Sequence, residues 1–135
     1  MEKIPEGTLV VVADGEGARV FRNVGDEQNI RLKQEDLLEL MNANDEGPAG
    51  SSPTEQTGKQ QDEATFSKQI AHRLNEGALK NLYMHLVLIA DPQSLGRIRP
   101  LLHKETQQRL LGEVAKTLTN APVEQIEQAL QHAKA

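Results

Sequence analysis

Leu86-Val87-Leu88-Ile89-Ala90, closed by Asp91-Pro92, restricts the possible folds of this chain more than any other stretch. Five apolar residues with no polar alternation need cover on both faces, as in a central strand of a layered α/β sheet rather than a half-exposed antiparallel one. Leu95, Ile98 and Leu102 follow at helical spacing. Asp91 is suited to accept from the free amides of a first helical turn, and Pro at the next position forfeits no hydrogen bond there. The segment therefore reads as a strand feeding a helix.

Leu9-Val10-Val11-Val12-Ala13 is a second run of the same kind, and it too ends in an acid, Asp14-Gly15. After the turn Asp14-Gly15-Glu16-Gly17, Ala18, Val20 and Arg22 alternate with Arg19 and Phe21, so residues 8 to 23 read as a hairpin. Ile30-Arg31-Leu32-Lys33 alternates apolar with basic, as an edge strand does. Residues 35 to 41 are ambiguous, because Leu37, Leu38 and Met41 also fit a helical turn. From Asn42 to Gln61 no apolar residue exceeds Ala in size, apart from proline, which predicts a mobile loop over 42–61. Asp62-Glu63 then opens a helix whose inner face is Phe66, Ile70, Leu74 and Ala78, opposite Lys68, His72 and Arg73 or Glu76. Residues 103 to 119 fit either a strand or a helix, and taking 109–118 as a fifth strand gives each crossover helix a strand to return to. Pro122 starts a last helix with Val123, Ile126 and Leu130 inward.

The two unalternated strands must be neighbours at the centre. With right-handed crossovers the expected architecture is α/β: a mixed five-stranded sheet of order 3-2-1-4-5, strand 2 antiparallel to the others, with helices on both faces. Length fits one domain, 1–135. In such a sheet ligands bind outside the carboxyl ends of strands 1 and 4, where Asp14 and Asp91 fall.

Composition excludes several functions. With Tyr83, Phe21 and Phe66 as the aromatics, stacking platforms for single-stranded nucleic acid are nearly absent, and a net charge of −5 opposes general attraction to polyphosphate. No Cys means no disulfide, thiolate metal site or Cys nucleophile. No apolar signal core or membrane span is present, so a cytoplasmic location without membrane contact is expected. The four histidines are scattered without paired metal spacing, and no Ser sits in a nucleophile elbow. Gly58-Lys59 lacks the upstream Gly of a phosphate loop and has Gln60 where Ser or Thr is required, so no cofactor is implied.

Two residue sets remain. Asp14 and Asp91 could together hold a hard divalent cation, although Asp91 is better explained as a helix cap and Asp14 as a turn residue. Arg97, Arg99, Lys104, Arg109 and Lys116, against Glu105 and Glu113, make residues 97 to 116 locally basic. Such a run is either a contact for ribosomal or other structured RNA or, more commonly, a solvated charged face.

Val11-Val12-Ala13-Asp14-Gly15-Glu16-Gly17-Ala18-Arg19-Val20-Phe21, then 66–74, 86–95 and 112–119 before Pro122, form an ordered set. In that set the chain resembles the bacterial host-attachment protein family, which is related to the central domain of archaeal and eukaryotic peptide-chain release factors. The resemblance implies a three-layer ribonuclease-H-like fold, in agreement with the derived strand order. It also implies a Gly-Gly-Gln loop ahead of the long crossover helix, and the matching residues are Gly58, Lys59 and Gln60. Lys59 stands in place of the second Gly and lacks its backbone freedom, which opposes peptidyl-tRNA hydrolysis. The reading that follows is a noncatalytic, release-factor-like binding module for the ribosome or structured RNA, using Gly58, Lys59 and Gln60 and the 97–116 basic residues. Any part in host attachment is then indirect. The alternatives are a metal-dependent phosphodiesterase using Asp14 and Asp91, and a scaffold for a protein partner whose identity and stoichiometry the sequence leaves open.

Overall fold

A computed structural model describes residues 3–39 and 55–134. Its centre is one five-stranded sheet of order β3-β2-β1-β4-β5. The strands are β1 (Leu9–Ala13), β2 (Gly17–Asn23), β3 (Leu32–Glu39), β4 (Leu86–Ala90) and β5 (Leu110–Ala115). The strand β2 is antiparallel to β1 and β3, whereas β4 lies parallel to both β1 and β5. The order and directions derived from the two apolar runs are those observed.

β1 and β4 are buried at every position and pair residue for residue from Leu9 with Leu86 to Ala13 with Ala90. Leu9, Val11, Ala13, Leu86, Leu88 and Ala90 face one layer, built from α1 (Glu55–Leu79), α2 (Pro92–Ile98) and the 3-10 turn Arg99–Leu101. Phe66, Ile70, Leu74 and Ala78 of α1 close that layer, as their spacing requires. Val10, Val12, Val87 and Ile89 face the opposite layer, covered by Ile126 and Leu130 of α4 (Val123–Lys134). A short α3 (Lys104–Arg109) leads into β5.

Three boundaries depart from expectation. The ambiguous 35–41 stretch is strand as far as Glu39, where the described part of the segment ends. The fifth strand occupies Leu110–Ala115 rather than 109–118, and residues 104–109 before it are helical. α1 begins at Glu55, not Asp62, so Gly58, Lys59 and Gln60 have helical backbone. The rest of the expected 42–61 loop, residues 42–54, lies outside the described residues. A run without apolar residues forbids burial, but it does not forbid a helix that continues one already anchored downstream.

Candidate functional site

β1 and β4 end side by side, and the carboxylates that follow them point into a common crevice of about 340 Å³. Gly15, Glu63, Ser94, Arg97 and Thr117 share its walls. Asp91 is the N-cap of α2: its Oδ2 accepts from the Ser94 amide at 3.1 Å. Its Oδ1 is buried with no hydrogen-bond partner among the described residues. Asp14 is fully engaged. Its Oδ1 accepts from the amides of Glu16 (2.7 Å) and Gly17 (2.9 Å), closing the β1–β2 turn, and its Oδ2 accepts from the Thr119 hydroxyl at 2.6 Å.

A second cavity, about 230 Å³, lies across that turn and is lined by Asp14, Glu16, Arg19, Leu37 and Asn120. Arg19 lies over the Phe21 ring at 4.9 Å and donates to the carbonyls of Thr119 (3.1 Å) and Ala121 (2.7 Å), tying β2 to the connection ahead of α4. Asp14 and Arg19 thus hold the same loop from two sides. A third cavity, about 260 Å³, lies toward the opposite end of the sheet, with an apolar floor of Leu9, Val20, Leu74 and Tyr83.

The basic run does not form one face. Arg97 sits in the carboxyl-end crevice, its Nη1 3.0 Å from Glu63 Oε1. Arg99 makes a forked pair with Glu113, whose hydrogen bond holds the guanidinium above its ordinary range. Arg109 lies at the amino end of the sheet, donating to the Tyr83 carbonyl, to Asn81 Oδ1 at 2.8 Å and to Glu105 at 3.0 Å. Lys104 and Lys116 are exposed. The cause is topological: to start a parallel β5, the chain must return from the carboxyl end to the amino end between residues 97 and 110. A linear charge run is therefore spread along the sheet's whole length, and its arginines are bound within the protein.

A cation at Asp14 and Asp91 is not supported by the donors present. Both oxygens of Asp14 are occupied, Glu63 is engaged by Arg97, and a guanidinium stands in the crevice. No group of three or more His, Asp or Glu among the described residues is placed to hold a metal. Glu63, Gly15, Arg19 and Thr119 were not singled out from the sequence as site residues. The turn glycine and the strand arginine are visible there, whereas their partners lie 48 and 100 residues away.

The Bacterial archaeo-eukaryotic release factor family 12 model matches residues 7–130, nearly the whole chain. The chain belongs to that family. Among solved structures, this family member is similar to an archaeal translation termination factor, aRF1, at 15% identity and a TM-score of 0.50. The alignment covers 93% of this chain and 38% of the archaeal one, so the release-factor-family chain spans well under half of the factor it resembles. No curated protein matches it. None of the helices among its described residues is long and apolar enough to cross a membrane.

Proposed function

We propose that this protein is a noncatalytic, release-factor-like binding module of one domain, acting in the cytoplasm on the ribosome or another structured RNA. Any contribution to host attachment is indirect. The family match over residues 7–130 carries the reading. Geometry supports a contact through the first turns of α1. Glu63 lies against the β1–β2 turn, and the continuous helix has residues 55–62 ahead of that contact, about 12 Å at 1.5 Å per residue. Gly58, Lys59 and Gln60 are on that extension, which makes it the partner-facing element. Arg97, Arg99 and Arg109 serve internal contacts, leaving Lys104 and Lys116 as the cations of the basic run available to phosphate.

Ribosome co-sedimentation at low and high salt tests this. Gly58→Ala with Gln60→Ala should weaken association at unchanged melting midpoint, and Lys104→Ala with Lys116→Ala should lower it mainly at low salt. Absence of low-salt binding by the parent protein removes the proposal. A metal-dependent phosphodiesterase is the competing reading, and the unpartnered Oδ1 of Asp91 is the observation in its favour. Calorimetric titration with magnesium and manganese decides between them: no heat above dilution is expected, and a saturable site lost in Asp14→Asn would reverse that judgement.

A further inference from the structure

Arg97 and Glu63 meet at one point of the carboxyl-end crevice, with Gly15 beside them. The ion pair is 3.0 Å long, and the two side chains are 23% and 19% exposed, so solvent screens it little. A Cβ at position 15 would lie 2.8 Å from Glu63 Cδ and 3.0 Å from its Cγ. The Glu63 side chain is flexible and could swing aside, but only by leaving Arg97. Asp14 and Asp91 line the same crevice. Without the guanidinium, the Glu63 carboxylate would stand near two others with nothing to offset their repulsion.

Among the α1 residues whose side chains are described, 62 onward, Glu63 is the first with a side-chain bond to another element, and Phe66 is the first fully buried one. We propose that Arg97 is a positioning residue: through Glu63 it sets the direction in which the first turns of α1 leave the fold, and Gly15 supplies the clearance the pair requires. The consequence for partner binding rests on the proposed reading of α1, whereas the positioning itself does not.

Hydrogen exchange of the Lys59 to Asp62 amides, the first whose carbonyl partners one turn back also lie in α1, separates the two. In Arg97→Ala and in Gly15→Ala, these amides should exchange roughly tenfold faster, the scale of one lost charge-assisted hydrogen bond. Amides of β1 and β4 should be unchanged. The reversed pair, Glu63→Arg with Arg97→Glu, should restore protection, a rescue that a merely space-filling role would not give. Glu63→Gln, nearly the same size, carries the test if Arg97→Ala does not fold. Unchanged exchange at 59–62 in both Gly15→Ala and the charge variants overturns the proposal, as does random-coil exchange of these amides in the parent. If exchange quickens while ribosome co-sedimentation holds, positioning stands and the partner-facing role of α1 falls.

Discussion

Asp14 and Asp91 occupy equivalent places after paired strands, yet their hydrogen bonds give them different work. Asp14 is a knot: two turn amides and the Thr119 hydroxyl use both oxygens, and Arg19 grips the same loop through two carbonyls. Asp91 spends one oxygen on the Ser94 amide, and its other oxygen is buried without a partner among the described residues. Asp91→Ala should cost about 1 kcal/mol in urea unfolding through the lost cap. Asp91→Asn should lose much less, because Asn caps as well as Asp does. Equal losses in both variants would mean that the charge, rather than the cap, matters at this position.

Individual elements were legible in proportion to how far their patterns were local. β1, β4 and the inner face of α1 could be read because unbroken apolar runs and a spacing of four admit few structures. β3 and β5 were placed in the sheet, but their bounds could not be read, and the register explains why. In β3, Asp36 pairs with Val20 but Gln34 with Phe21, so Glu35 is an extra residue and the alternation breaks where Leu37 and Leu38 follow. In β5, Leu86 opposes Leu110 while Val87 opposes Gly112, making Leu111 the supernumerary one. Such irregularities depend on the partner strand, which a single segment does not display. The carboxyl-end location of Asp14 and Asp91 followed from strand order, whereas the Glu63–Arg97 pair needed the packing of α1 on α2. The turn from α1 into β4 is sealed by Tyr83, whose hydroxyl donates to the Leu74 carbonyl at 2.7 Å. Burial holds that hydroxyl above its ordinary value of 10.0. The unfolded chain therefore releases this proton first, so the stabilisation is whole below pH 10 and declines as pH rises beyond it. Urea midpoints from pH 8 to 11 should show this decline in the parent protein and a shallower one in Tyr83→Phe. At neutral pH that variant should be less stable by about 1 kcal/mol.

At the scale of the molecule, the central strand β1 has neighbours of very different origin. β2 follows it within a turn, while β4 is contributed by residues 86–90. The hairpin side is assembled from local sequence, and the parallel side waits for a distant segment, so loop closure rather than strand propensity should limit the folding rate. A nascent chain on the ribosome meets the same order in time. Until residues 86–90 emerge, β1 carries an unpaired apolar edge of Leu9 to Ala13, the kind of surface that pairs with whatever strand is near. A released fragment ending at residue 85 should therefore self-associate or bind chaperone, and one ending at Ala90 should do so less, as read by sedimentation of the released fragments. During synthesis, the strand that ends at the centre of the finished protein is the one most in need of protection.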